Sequence, residues 1–351
     1  MGIEGATCVV TGGCGLVGQR VVELLLERGA AKVVSFDIVG RPRWDALDNE
    51  PRVRYCKGDL SKPEEVDAVC EGADCVWHIG ALVGPYHPKS LYYKVNYEGT
   101  LNVINACRKH KVGKIVMSSS PSTRFTGEDI NGKTEAELPI VKKFLEDYAE
   151  TKAMGEVALR QANDGHTLLT VAIAPHQVYG PRDMLFLPNL LKAAGNGQLR
   201  IMGSGENMVS FTHVDNYASA LIDAEAQLYP GSAVLGKFYI VTDGDPRKFW
   251  VMLDEAVVAM GWPSLKTKLR LPYWLLYPIA CIVEGVGALT GRKFKLTRFA
   301  VKMLTINRWF KIDAARKELE YSPVMSFEEG WQQTIAWLRE EWLPTTRFAK
   351  R

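Results

Sequence analysis

Along the first half of the chain, short apolar runs alternate with stretches whose apolar residues recur at helical spacing. Ala6–Thr11 (ATCVVT) is rich in Val and Thr and has the length of a buried strand. After a glycine-rich turn, Val21, Val22, Leu25 and Leu26 fall on one helix face, and Gly29 follows the last turn. Lys32–Asp37 reads as a second strand. Val53–Cys56 reads as a third, with Gly58-Asp59-Leu60 at its exit. Asp74–Ala81, Lys114–Ser120 and Leu168–Ala174 read as three more, with helices over Asn96–His110 and over a segment ending near Gln161. Strands alternating with helices in this way predict a doubly wound α/β fold, a parallel sheet covered on both faces. Ligands of such sheets sit beyond the strand C-termini, which here means Gly12, Asp37, Asp59, Ala81, Ser120 and the loop after Pro175.

The pattern loosens in the second half. Met208–Thr242 is expected to return to the sheet, and a smaller, mostly helical lobe to be stitched from Arg182–Gly205 and Pro246–Pro344. The expected division is therefore a nucleotide-binding core over 1–181, joined by 208–242, and a substrate lobe over 182–205 and 246–344. Trp331, Ile335, Trp337 and Leu338 predict an amphipathic C-terminal helix. Leu271–Gly291 is the most apolar stretch, but its charge-free part, Leu271–Val283, falls short of the ~18 residues needed to span a bilayer. Tyr273, Trp274 and Tyr277 open it, and Arg292, Lys293, Lys295 and Arg298 follow it, which suits peripheral membrane contact through 271–298. An apolar cap over the site is the competing reading.

Composition removes several functions. Of 351 residues, 47% are apolar and 24% charged, the balance of a folded protein, and a net charge of +3 without a basic stripe argues against nucleic acid. Seven cysteines with no CxxC pair point to a reducing compartment and no structural metal. The opening MGIEGATCVV has Glu4 and no basic-then-apolar leader, so no secretory signal is expected. Ala6 stands where myristoylation wants Ser or Thr.

Two motifs carry chemistry. Thr11-Gly12-Gly13-Cys14-Gly15-Leu16-Val17-Gly18 lies between a strand and a helix, where glycines allow a tight turn and close backbone approach to a pyrophosphate at the helix N-terminus. Asp37 ends the next strand and can bind both adenosine ribose hydroxyls while repelling a 2′-phosphate, which favours NAD over NADP. Arg41 and Arg43 follow closely and suit a 2′-phosphate instead. Tyr148 and Lys152 stand at i and i+4 of one helix, with Ser120 upstream at a strand end. A lysine cation together with an oxidised nicotinamide is expected to favour the phenolate of Tyr148, which could then take a proton from a substrate alcohol. His78 reads as a core histidine, and His213 with Asp215 as a loop-ordering pair.

TGGCGLVG, Asp37, Gly58–Leu60 (GDL), Asn96–Thr100 (NYEGT), Ser118–Ser120 and Tyr148–Lys152 (YAETK) together resemble the extended short-chain dehydrogenase/reductase family. The resemblance implies a Rossmann-type fold and a nicotinamide cofactor. By it, Gly12, Gly15 and Gly18 hold the pyrophosphate, Asp59 and Leu60 flank the adenine, and Ala81 and Pro175 line the dinucleotide groove. Lys152 would also hold the nicotinamide ribose, beside catalytic Tyr148 and Ser120. Pro121 departs from the small residue usual after that serine. Pro175–Asp183 (PHQVYGPRD), Val209–Asn216 (VSFTHVDN) and Leu271–Trp274 (LPYW) resemble the 3β-hydroxysteroid dehydrogenase branch, with the decarboxylating sterol-4α-carboxylate 3-dehydrogenases nearest.

That resemblance implies NAD-dependent oxidation of a sterol 3β-hydroxyl at the cytosolic side of an intracellular membrane, the endoplasmic reticulum in a eukaryote and otherwise the cytoplasm. Ala174, where sugar-modifying relatives carry arginine, tilts toward an apolar substrate. A homodimer built on the helices carrying Asn96–His110 and Tyr148 is implied in the same way. Competing readings are a nucleotide-sugar epimerase or dehydratase, a 3β-hydroxysteroid dehydrogenase/isomerase, an NADPH-dependent reductase and a non-catalytic scaffold.

Overall fold

Seven strands form one parallel sheet in the computed structural model, which describes residues 2–84, 87–290, 292, 294 and 296–348. They are β1 (Thr7–Thr11), β2 (Lys32–Asp37), β3 (Val53–Lys57), β4 (Cys75–His78), β5 (Lys114–Ser118), β6 (Leu169–Pro175) and β7 (Phe238–Val241). Their spatial order is β7-β6-β5-β4-β1-β2-β3, with every pairing parallel. The order reverses between β1 and β4, where Val10 lies opposite Trp77 and Thr11 opposite His78. A crevice opens beyond the C-terminal ends at such a reversal, and it is where these sheets bind ligands.

Both faces are covered because both faces of the strands are apolar. Helices α1 (Leu16–Glu27) and α5 (Val214–Ala226) cover one side, with Val21, Val22 and Leu25 packed among Tyr217, Leu221 and Trp77. Helices α2 (Pro63–Cys70), α3 (Gly99–His110) and α4 (Asp147–Ala162) cover the other through Val66, Val103, Ile104 and Leu159.

The predicted elements hold, with shifted ends. The fourth strand stops at His78 rather than Ala81, because Gly80 passes so close to Leu60 that a Cβ there would lie 2.8 Å from its side chain. The fifth stops at Ser118, and Ser120 becomes the N-cap of a short turn over Pro121–Arg124. The helix expected from Asn96 is preceded by helical turns from Lys89, and Tyr93–Glu98 forms a wide, π-type turn that contains Asn96.

Away from the sheet, helices Leu187–Gly195, Phe249–Ala259 and Phe327–Trp337 enclose another core around Leu191, Trp250, Leu253, Trp331 and Trp342. The expected division of the chain is crossed twice. Ile130–Lys133, inside 1–181, pairs in parallel with Arg308–Phe310 in a small four-stranded sheet. Ile312, Ala315, Leu319 and Tyr321 pack into the α1–α5 side of the main sheet. The apolar segment forms helix Tyr273–Thr290, which buries Leu276 and Ala280 against Val301 of helix Arg298–Thr305. It leaves Trp274, Ile282 and Leu289 largely exposed. Gly291, Lys293 and Lys295 lie outside the described residues. Among the described residues no helix is long and apolar enough to cross a membrane.

Under α4 lies a buried ion pair. Arg124 and Glu156 are 4% and 0% exposed in their side chains and meet at 2.5 Å, and the Arg124 guanidinium stacks over the Phe238 ring at 3.3 Å. Ser119 donates to Glu156 at 2.7 Å. Removing one charge strands the other in a dry site, so Glu156→Leu should cost about 3–5 kcal/mol in urea unfolding. Adding Arg124→Met should recover most of that loss; a double variant that loses the sum of the two single losses would show that the charges do not depend on each other.

Candidate active site

The turn between β1 and α1 is closed by contacts only glycine permits. Gly12 has φ +69°, and a Cβ on it would lie 2.6 Å from Gly80 Cα in the neighbouring strand exit. A Cβ on Gly18 would lie 2.0 Å from the carbonyl oxygen of Gly12. Gly15 is the N-cap of α1 and offers no side chain to its first N–H groups. The turn is thus a cradle of backbone donors at a helix N-terminus, which fits a dinucleotide pyrophosphate. Asp37 accepts from Cys14 N and Val39 N, both at 3.0 Å, so its carboxylate stands beside the turn at the end of β2. Arg41 is turned to Asp45 and Asp48 and lies over Tyr55, and Arg43 lies over Trp44.

Asp59 turns its carboxylate to the N–H of Ser61 at 2.9 Å, and the carbonyl of buried Leu60 accepts from Asn102 at 2.8 Å. Ala81 lies on the β4 exit, half-buried. Just behind it, His78 is fully engaged, with Thr11 at 2.8 Å on one ring nitrogen and Thr100 at 3.0 Å on the other. Burial, helped by the charge of Lys152, holds its pKa down at about 3, so it is a neutral core residue. Asn96, which sequence reasoning did not single out for a role, clamps this exit. It exchanges bonds with Leu82 N and O at 2.8 and 3.1 Å and reaches Thr151 of α4 at 3.4 Å. The NYEGT motif was its only signal.

Tyr148, Lys152 and Glu156 follow one another at single-turn spacing on α4. Lys152 is 3% exposed and donates to the last carbonyl of β5, Ser118 O, at 2.7 Å. Burial draws its pKa down from 10.5 to about 8, with Glu156 pulling the other way. In the protein itself the shift of Tyr148 runs upward. Burial pushes the phenol up to about 12, a hydrogen bond with Ser120 opposes it, and Tyr92 adds to it. In the serine run, Ser118 Oγ accepts from Tyr217 at 2.7 Å and Ser119 is bound to Glu156. Ser120 lines the cavity and accepts from the hydroxyl of Ser122 at 2.9 Å. Ser122, a second hydroxyl there, was not foreseen.

Ser120, Tyr148 and Pro175 open onto one cavity of about 310 Å³. Its walls are largely apolar, with Phe125, Ile130, Leu145, Phe299, Met303 and Phe310. The lid is helix Arg298–Thr305, not the apolar helix Tyr273–Thr290, which packs outside it. His176, Glu146 and Arg308 complete the lining; sequence reasoning gave none of them a role. His213 and Asp215 stand apart in the structural role expected of them: Asp215 pairs with Arg20 of α1 at 2.7 Å, and His213 is fully buried against Tyr179.

Comparison with known proteins places this geometry. Residues 9–272 match the model of the 3-beta hydroxysteroid dehydrogenase/isomerase family. A mouse sterol-4-alpha-carboxylate 3-dehydrogenase (decarboxylating) is 35% identical, over 93% of this chain and 90% of its own length. A 2-alkyl-3-oxoalkanoate reductase from Stenotrophomonas maltophilia is 34% identical, over 93% of this chain and 98% of its own. In architecture the chain resembles a dTDP-glucose 4,6-dehydratase variant from Streptomyces venezuelae solved with NAD, with a TM-score of 0.72, 20% identity and coverage of 95% and 97%. The chain belongs to the 3-beta hydroxysteroid dehydrogenase/isomerase family, on the extended short-chain dehydrogenase/reductase fold, and is a nicotinamide-dependent oxidoreductase acting on a CH–OH group.

Proposed function

We propose that this protein oxidises the 3β-hydroxyl of a sterol bearing a 4α-carboxylate, with NAD as acceptor, and that the 3-keto acid so formed loses CO2. One observation carries the reading: Ser120 and Tyr148 face a cavity whose walls are largely apolar and whose size suits a small molecule. The mouse relative, named for this activity, supports it. Asp37 beside the glycine turn, with Arg41 held by Asp45 and Asp48, supports NAD over NADP.

Tyr148 takes the hydroxyl proton, and Ser120 holds the same oxygen by a hydrogen bond. Burial alone leaves Tyr148 too weakly acidic for this, so it needs positive charge nearby. Lys152 supplies one charge from behind. An oxidised nicotinamide cofactor held at the glycine turn and Asp37 would supply another, and would serve as the hydride acceptor for C3. In the β-keto carboxylate, the electrons of the C4–carboxylate bond pass to the C3 oxygen as CO2 leaves, and the enolate is then protonated at C4. Tyr148 and Ser120 already face that oxygen. The exposed Trp274, Ile282 and Leu289 of helix Tyr273–Thr290, with Arg292 beyond them, support contact with the membrane that holds such a substrate.

The Stenotrophomonas relative favours a second reading, reduction of a 2-alkyl-3-oxoalkanoate. In both substrates the carboxylate sits on the carbon next to the one that changes oxidation state. NADH and CO2 should appear together from NAD and a 3β-hydroxysterol 4α-carboxylate in detergent, and UDP-sugars should be inert. Turnover of a 2-alkyl-3-hydroxyalkanoate alone would move the assignment to the second reading.

Tyr148→Phe should lower kcat at least 10³-fold, within the range of a lost acid–base group, while NAD still binds; near-normal turnover would remove Tyr148 from the chemistry. Lys152 gives a pH signature. Its folded pKa, about 8, lies below the unfolded 10.5, so the unfolded chain holds the extra proton between them. Stability of the wild type relative to Lys152→Met should be level below pH 8 and rise by about 3 kcal/mol from pH 8 to 10.5 in urea unfolding. A flat difference would place the amine in water.

A further inference from the structure

One charge in the cavity has no counter-charge. Arg308, on the short strand Arg308–Phe310, is 7% exposed and lines the cavity with Ser120 and Tyr148. A guanidinium has five N–H donors and no acceptor. Nη1 donates to His176 Nε2 at 3.1 Å, and Nη2 to the carbonyl of Met303 at 2.9 Å. Nε is buried without a partner. No carboxylate among the described residues pairs with it, and burial alone draws its pKa down to about 10.

Both acceptors are neutral. His176 Nδ1 lies 2.8 Å from the carbonyl of Ser210 and must donate to it, which leaves Nε2 as the lone-pair side facing Arg308. Burial and the neighbouring guanidinium keep this imidazole uncharged, with a pKa of about 3. The Met303 carbonyl belongs to the last turn of helix Arg298–Thr305 and brings only a partial negative charge. An unpaired buried cation costs several kcal/mol, and two neutral acceptors offset only part of it.

We propose that Arg308 is the anion-binding group of this cavity and takes a single carboxylate, borne on the carbon next to the one oxidised at Tyr148. The anion site stands on the geometry of Arg308; the position of the carboxylate rests on the function proposed above. The surroundings choose a carboxylate over a phosphate. Arg308 is the only cation among the described lining residues, and Phe299, Met303 and Phe310 surround it with apolar surface. Glu146 also lines the cavity, its carboxyl drawn up by burial and by Asp147 and Glu284. A diphosphate would bring two charges to one guanidinium and meet this acid. A monoanion joined to an apolar body meets one fork of donors and a greasy wall.

The test compares a 3β-hydroxysterol 4α-carboxylate with its methyl ester, on holoenzyme with NAD. Arg308→Met should lower kcat/KM for the carboxylate at least 10²-fold and leave the ester within about threefold, as expected when a buried charge pair is lost. Arg308→Lys keeps the charge and loses the fork, so the carboxylate should fall about tenfold. Equal losses on both substrates would make Arg308 a cap for helix Arg298–Thr305 and overturn the proposal. So would unchanged values on both.

A second readout does not depend on sterol turnover. Decanoate, below its micellar concentration, should bind the NAD-loaded wild type at least tenfold more tightly than Arg308→Met, while 1-decanol binds both alike. If no sterol is oxidised but decanoate discriminates, the sterol reading fails and the anion site stands. Equal decanoate affinity in the two proteins overturns the anion site.

Discussion

Burying Lys152 decides how the rest of the site is built. An ammonium that is 3% exposed must find acceptors where it stands, and it finds the terminal carbonyl of β5. That bond fixes the roll of α4 on the sheet, and with it the direction of Tyr148 one turn earlier and Glu156 one turn later. Glu156 then needs its own partners, which Arg124 and Ser119 provide from the turn after β5. On the far side, α4 approaches the wide turn of Tyr93–Glu98 so closely that a Cβ on Gly155 would lie 2.6 Å from Asn96 O. The same turn points Asn96 at Leu82, at the exit of β4. A single buried cation is thereby coupled to the ends of two neighbouring strands, β5 and β4.

What could be read in the sequence was local. The glycine turn, the acid ending β2 and the Tyr148–Lys152 spacing are each written in one short stretch, and the structure brings them to the C-terminal edge of one sheet. What could not be read depended on segments far apart in the chain. Ile130–Lys133 has no strand pattern of its own length and becomes a strand because Arg308–Phe310 lies beside it. That pairing places Arg308 on the wall of the cavity that Ser120 also lines. The environment of Tyr148 is another case: spacing shows that a lysine is near, whereas the burial that raises its pKa comes from tertiary packing, with Tyr92 edge-on to its ring.

The two buried cations divide the work proposed for the cavity. Lys152 stands behind the phenol, bonded to backbone and balanced by Glu156, so its charge acts on whatever Tyr148 holds. Arg308 stands on the substrate side, balanced by nothing but neutral acceptors. An alcohol placed between them would meet a base at one point and a charge anchor at another, which fixes orientation as well as affinity.

This division also explains how one architecture separates substrates that its sheet treats alike. The architecture shared with a dTDP-glucose dehydratase extends over nearly the whole chain, so the fold by itself cannot be what discriminates. Discrimination has to come from the lobe wall facing Tyr148. Here that wall is Phe299, Met303 and Phe310 around one guanidinium. A wall with one fork of donors cannot solvate a diphosphate once water is excluded, but it can hold one carboxylate at no further polar cost. The specificity for an apolar monoanion proposed above would then follow from how few charges the cavity offers, with the chemistry proposed at Tyr148 left unchanged.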